Sequence, residues 1–275
     1  MNQLSIEERS RILAALVEGN SIRAIARMTE VSRNTIDKLL CDLGHACSEY
    51  QDKTFRNLKS RRIQCDEIWS FVYAKDRNCP TEHKAKGGGD AWTWVAIDPD
   101  TKLVPCWLVG QRDAGCAFQF MHDLKARLAN RVQLTTDGYK PYFVAVEDAF
   151  GATVDYAMLQ KIYGKVKDTP ETRYSPAVCM GAKKAIIKGY PDYAHISTSY
   201  IERQNLTMRM SMRRFTRLTN GFSKKVENHE HAIAIHYMYY NFGRIHQSLR
   251  VTPAMEAGIS DHVWSIEEIV GLLKF

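Results

Sequence analysis

Three acids far apart in the chain stand in surroundings that make each conspicuous: Asp66, Asp137 and Glu202. Asp66 lies inside "RIQCDEIWSFVYA", a run rich in β-branched and aromatic residues where an aspartate is disfavoured. Asp137 closes "RVQLTTDGY", at a strand end before Gly138. Glu202 heads "TSYIERQNLTMRMSMRRFTR", a stretch with arginines at 203, 209, 213, 214 and 217. Carboxylates converging from distant elements can hold hard divalent cations. Two such ions about 3.5–4 Å apart can clamp a phosphodiester, one activating the attacking oxygen and one stabilising the leaving oxygen. Asp66 would bridge the ions, and Asp137 and Glu202 would each complete one. Each acid also has an ordinary reading alone: a plain turn for "TDGY", a surface acid favoured by the helix dipole for Glu202. The competing acids are Glu67, Asp98, Asp148 and Asp155. Asp98 falls in a hairpin turn, and Glu67 should face away from Asp66 on its strand.

The chain around Glu202 supplies a second clue. From Tyr200 to Arg217 there is neither Gly nor Pro, so a helix is expected. At 100° per residue, Asn205, Arg209, Arg213 and Arg217 fall within about 60° of Glu202. Ile201, Met208, Met212 and Phe215 gather opposite, as an apolar back. A solvated helix face normally mixes signs, but residues 197–225 hold seven Lys/Arg against one acid. That window carries most of the chain's formal net charge of +7. A polyanion would relieve the repulsion along the arginine row. Arginine suits the task because its planar fork grips phosphate through two bonds.

The elements that must position these groups follow from residue 62 onward. Strands are expected at "RIQCDEIWSFVYA", "AWTWVAI", "LVPCWLVG", "RVQLTTDGY" and "ATVDYAMLQ". Helices are expected at "AGCAFQFMHDLKARLAN", at 141–150, around Glu202 and at about 226–242. Residues 164–198 hold Pro170, Pro176, Gly181, Gly189 and Pro191 and read as an irregular insertion. The order βββ-α-β-α-β-α-α implies an α/β, ribonuclease H-like mixed five-stranded sheet flanked by helices. Its first and fourth strands lie side by side at the centre, which would bring Asp66 and Asp137 together.

Residues 1–43 form a small all-α module. Ser5 and Glu8 make a capping box, Gly19-Asn20 ends the first helix, and Ser32 caps the third. "AIARMTEVSRNTI" resembles a helix-turn-helix, with Arg33, Asn34, Thr35 and Lys38 aimed at a major groove. The turn position often held by Gly is Glu30 here. A plain docking module is the other reading of such a bundle. Residues 44–61 read as a linker, partly helical, before the domain at 62–275.

The 275 residues, 45% hydrophobic and 25% charged, suit a globular protein with a sizeable core. Nothing approaches the run of about 18 apolar residues that spans a membrane. The seven cysteines are odd in number and never spaced C-x-x-C, which argues for reduced thiols and a cytoplasmic setting. His229, His231 and His236 do not share one helix face and read as surface or core. Trp92, Trp94 and Tyr139 are expected in core packing, with stacking on a displaced base as the alternative.

"CDEIWSFV", "TTDGY" and "STSYIERQNLTMRMSMRRFTRLTNGFSKK" together resemble the insertion-sequence-one type of bacterial DDE transposase. "YYNFGRIHQSLRVTPAMEAG" is similar to the tail of related transposases and integrases. The resemblance implies an acid triad of Asp66, Asp137 and Glu202 and two Mg²⁺ ions, with Mn²⁺ able to substitute. It implies cleavage at the 3′ ends of an element and joining of the freed 3′-OH to target DNA. It further implies double-stranded DNA as partner, a homodimer or larger assembly, and a bacterial, nucleoid-associated location. Candidate DNA contacts beyond the module are Arg203, Asn205, Arg209, Arg213, Arg214, Arg217, Lys224 and Lys225; Arg244 and His246 would contact DNA or brace Glu202. The cysteine-rich zinc finger of family members is missing, so end recognition would fall on residues 5–43. The rival readings are a structure-selective nuclease on the same fold and a helix-turn-helix regulator with a dead domain.

Overall fold

The computed structural model describes residues 4–164, 179–216 and 220–273. Three N-terminal helices come first: α1 (Ile6–Val17), α2 (Ile22–Thr29) and α3 (Arg33–Thr54). Ser5 and Glu8 form the expected capping box on α1, and Ser32 caps α3. Glu30 ends α2 in the left-handed region, at φ 58°. The turn thus keeps the shape that favours Gly, at the cost of a strained side chain.

Residues 44–54, expected as part of a partly helical linker, continue α3 as helix. The reason is tertiary. Leu40, Leu43, Cys47 and Gln51 are buried, and α3 packs along a later helix, α8 (Val226–Met238). Gly44 permits this approach, since a Cβ there would lie 2.3 Å from the Cβ of His231. Gln51 donates to the carbonyl of Ala234 at 3.1 Å and fixes the pair. One apolar cluster runs from Ile12 and Ile36 through Leu43 and Ile233 to Val95.

The sheet is built from β1 (Arg62–Val72), β2 (Gly89–Ile97), β3 (Trp107–Gly110), β4 (Val132–Thr136), β5 (Val154–Tyr163) and β6 (Cys179–Lys188). Its order is β3-β2-β1-β4-β5-β6. β1 runs antiparallel to β2 and parallel to β4, and β4 is parallel to β5. The first five strands have the order of a ribonuclease H-like sheet. The sixth corrects the expectation of five strands and an irregular insertion. β6 lies in residues 164–198 and pairs antiparallel with β5, through Met158 and Ala185 among others. Its side chains are mostly exposed, so it has no apolar alternation to read.

Helices cover both faces. A short helix, α4 (Thr81–Lys84), precedes β2; α5 (Ala114–Arg127) and α6 (Pro141–Phe150) follow β3 and β4. They pack on the face of Trp94, whose ring centre lies 6.0 Å from that of Phe120 and 5.4 Å from that of Tyr142. α7 (Ser199–Ser211) and α8 lie on the other face, where Trp107 meets Tyr237 at 4.9 Å. The arginine-rich helix was expected to reach Arg217 but stops at Ser211. Met212 is extended, and a tight turn at Arg213–Phe215 follows. The break lets Phe215 bury itself 5.2 Å from the His229 ring. Two short helices, α9 (Pro253–Glu256) and α10 (Ile266–Val270), end the chain, and α10 packs on α1.

Candidate active site

β1 and β4 place the first two acids by register. Cys65 pairs with Thr136, so Asp66 and Asp137 are the next residues along two neighbouring parallel strands. β4 ends there, and Asp137 turns its carboxylate to accept from the Tyr139 N–H at 2.9 Å. A Cβ on Gly138 would meet Gln160 Cγ at 3.2 Å, so any larger residue at this turn requires the exposed Gln160 side chain to yield.

The third acid is carried in by α7, and β1 supplies the cap. Gln64 points to the same face as Asp66, two residues away. Its Oε1 accepts from the backbone N–H of Tyr200 at 3.0 Å and of Ile201 at 3.2 Å. These are amides of the first helical turn, which lack partners within the helix. Thr198, the residue before the helix, makes no side-chain cap. Its hydroxyl donates instead to Glu202 Oε1 at 2.6 Å. Lys161 of β5 pairs with the other oxygen of Glu202. Asn205, one turn on, donates to Asp66 Oδ2 at 2.9 Å. Asp66, Asp137 and Glu202 therefore line one cleft of about 840 Å³, together with Glu67, Arg112, Lys161 and Arg209.

Glu67 keeps its expected strand face but joins the acid cluster all the same. It was to face away from Asp66. Its side chain is only 1% exposed and lies on the opposite strand face, yet oxygens of Asp66, Glu67 and Asp137 all come within 4.8 Å of one another. Arg112, after β3, donates to Glu67 Oε2 at 2.9 Å and to Asp137 Oδ2 at 3.3 Å. Its guanidinium also lies over Tyr139, 4.1 Å from the ring centre. Burial, then the charges of Glu67 and Asp137, push the Asp66 carboxyl up to about 7. Burial, then Asp137, raises Glu67 to about 7. Asp137 is raised by burial as well. Crowded oxygens that resist ionising together are the donor set a hard divalent cation would relieve. Among the described residues, Asp66, Glu67 and Asp137 are the metal-capable cluster; Glu202 faces the same cleft from its ion pair.

The candidate DNA contacts divide. Arg33, Asn34, Thr35 and Lys38 are exposed on the first turns of α3, with Lys38 bonded to Asp42 at 2.6 Å. Arg33 and Asn34 line a second cleft, of about 940 Å³, whose other wall carries Arg213 and Lys224. Arg203 is exposed, as are Lys224, Lys225 and Arg244. Asn205 is buried and donates to Asp66. Arg213 leaves the helix row, and Arg214 turns inward to donate to the Ser223 hydroxyl at 2.5 Å. Arg217 lies outside the described residues. His246 is half-buried and bonded to Ser248, and neither it nor Arg244 lines the acid cleft. His229 is a core residue between the hydroxyls of Ser70 and Ser223, held neutral by burial, its pKa about 3. Trp94 is fully buried, as expected of a core residue, while Trp92 is half-buried under Arg112. Gln64, Arg112 and Lys161 escape sequence reasoning; a buried-face Gln two residues before a strand acid is the one local signal among them.

The acids thus gather at the ends of the central strands of an α/β, ribonuclease H-like sheet. A helix-turn-helix domain model matches residues 1–41, and an IS1 transposase model matches residues 183–242. Together the matches support an insertion-sequence DDE transposase. The cryo-EM structure of a piggyBac transposase synaptic complex with hairpin DNA is 11% identical, with a TM-score of 0.43 over 99% of this chain and 71% of that one. The crystal structure of a pre-cleavage Mos1 transpososome is 15% identical, with a TM-score of 0.25 over 57% of this chain and 60% of that one. No curated protein sequence matches significantly. No helix among the described residues is long and apolar enough to cross a membrane.

Proposed function

We propose that this protein binds the ends of an insertion element, hydrolyses the phosphodiester at each 3′ end, and joins the 3′-OH to target DNA. The observation that carries the reading is the convergence of Asp66, Asp137 and Glu202, from three separate elements, on one cleft. In this reading the three carboxylates hold two Mg²⁺ ions, which supply Lewis-acid activation of the phosphodiester when bound. Asn205 orients Asp66, the Tyr139 amide orients Asp137, and Thr198 orients Glu202. Arg209, on the wall of the same cleft, positions the phosphate. Exposed Arg33, Asn34 and Thr35 at the start of α3 read the element end, and Arg213 and Lys224 across the cleft hold its backbone. Pairing two ends calls for a homodimer or larger assembly.

The test incubates the protein with labelled DNA carrying the host element's end and a supercoiled target. Mg²⁺ is compared with EDTA, and wild type with Glu202→Gln. Metal-dependent joining that the variant lacks is the expected result. Nicking without joining would replace the reading with a nuclease. Binding without cleavage, equal in both proteins, would remove Glu202 from the catalytic set.

A further inference from the structure

Among the described residues, the two outer acids of the cleft are each held by a cation, whereas the central acid receives a neutral amide. Arg112 reaches Asp137 at 3.3 Å while anchored to Glu67 at 2.9 Å. Lys161 pairs with Glu202. Asp66 receives the neutral amide of Asn205 at 2.9 Å. Both cations belong to elements outside the acid-bearing ones, namely the segment after β3 and strand β5. All of these side chains line the same cleft.

We propose that Arg112 and Lys161 are placeholder cations. They neutralise Asp137 and Glu202 before divalent ions arrive, give up those oxygens to the ions, and then face the phosphate entering the cleft. This rests on the reading of Asp66, Asp137 and Glu202 as metal-holding.

Three features fit a cation that must leave. First, each acid keeps a second donor after the exchange: the Tyr139 amide for Asp137 and the Thr198 hydroxyl for Glu202. The carboxylates stay aimed when the cation goes. Second, Arg112 has somewhere to stay. Its bond to the buried Glu67 is the shorter of its two, and its guanidinium rests between Tyr139 at 4.1 Å and Trp92 at 5.1 Å. Letting go of Asp137 does not strand a charge. Third, both pairs are about one-third exposed, Arg112 and Asp137 at 33% and 32%, Lys161 and Glu202 at 31% and 36%. Pairs this wet are weak enough for a divalent ion to displace.

The sign of one measurement separates this role from a structural one. A brace that holds Glu202 in place should weaken metal binding when removed. A placeholder competes with the metal, and its removal should tighten binding. The full-length protein without DNA is titrated with Mn²⁺, followed by electron paramagnetic resonance and calorimetry. Lys161→Met should bind Mn²⁺ roughly two- to fivefold more tightly than wild type. Lys161→Arg, which restores the charge, should return towards wild type. Lys183→Met, which removes an equal charge from exposed β6, should leave the affinity unchanged. Equal or weaker binding by Lys161→Met, with its circular dichroism unaltered, overturns the placeholder role alone. Absence of Mn²⁺ binding in the wild type overturns the metal centre and this proposal with it.

Discussion

Gln64 is the residue on which the geometry of Glu202 turns, and replacing it with Met isolates that role. Met keeps the length and most of the volume of Gln but has no oxygen to accept a bond. In the native chain Gln64 is 3% exposed, and its Oε1 takes the amides of Tyr200 and Ile201 at 3.0 and 3.2 Å. In Gln64→Met those amides lose their partner at the start of α7. Thr198 is not placed to take over, because its side chain makes no cap bond and its hydroxyl is turned towards Glu202. Losing a helix cap costs about 1 kcal/mol, and stranded buried amides bring the total to about 1–3 kcal/mol. For a chain of this size that lowers the melting temperature by about 2–8 °C. The catalytic effect should be larger than the stability effect suggests. Glu202 lies in the first turn, so a displaced helix start moves it directly. A shift of about 1 Å at a reacting group costs on the order of 100-fold in rate. The assays are thermal denaturation and the rate of DNA joining, with Glu202→Gln as the inactive reference. A melting temperature equal to wild type would refute the cap. A lowered melting temperature with an unchanged joining rate would refute the positioning role while leaving the cap intact.

Gly44→Ala should destabilise the protein by about 1–3 kcal/mol, because its Cβ would fall 2.3 Å from that of His231 between α3 and α8; urea unfolding measures it. Glu30→Gly should stabilise by up to about 1 kcal/mol, since the left-handed φ of 58° strains any residue but Gly and the added chain entropy offsets part of the gain; a lower melting temperature would contradict this. Asp66 and Glu67 have folded-state values raised to about 7, so the native chain holds protons that the unfolded chain has released. Their effect on stability is therefore fully favourable below the ordinary carboxylate range and is lost as pH rises towards 7. In EDTA, Asp66→Asn should flatten the fall of the melting temperature between pH 5 and 8, scanned against wild type. Mn²⁺ should raise the melting temperature more at pH 8 than at pH 6, because the acids must ionise to hold it.

The β1–β5 order was legible because buried strands keep their β-branched runs and each helix keeps its apolar period. "AWTWVAI" and "RVQLTT" are examples, and they became β2 and β4. What escaped was set by tertiary contact. Local pattern past Leu43 supports no more than a partly helical linker; the partner that holds residues 44–54 is α8, far along the chain. Nothing local ends α7 at Ser211 either. The stop comes from Met212 and Phe215 turning into the core, which takes Arg213 and Arg214 out of the arginine row. β6 failed for the opposite reason. It is an edge strand with an exposed surface, held by backbone pairing to β5, and pairing leaves no mark on composition.

Glu67 shows how a sound local rule gives way to topology. Alternation along β1 does put it on the opposite face from Asp66. The rule fixes the face each side chain leaves from, not whether two of them can meet around the edge of the strand. β4 stops pairing at Cys65, so from Asp66 onward β1 has an open edge where β4 has ended. Around an open edge, side chains from the two faces can approach the same point, and Asp137 is the residue that occupies it. The cluster of Asp66, Glu67 and Asp137 therefore spans both faces of one strand. That arrangement explains how Arg112, coming from the β3 side, reaches Asp137 while anchored to a buried acid. It also explains why Glu67 can be buried at all. An acid with a 1% exposed side chain is costly unless paired, and the guanidinium that pairs it is the same one that holds Asp137. Losing Arg112 would thus strand Glu67 as well as release Asp137, whereas losing Lys161 releases Glu202 alone. The two cations are alike in charge and unlike in what depends on them.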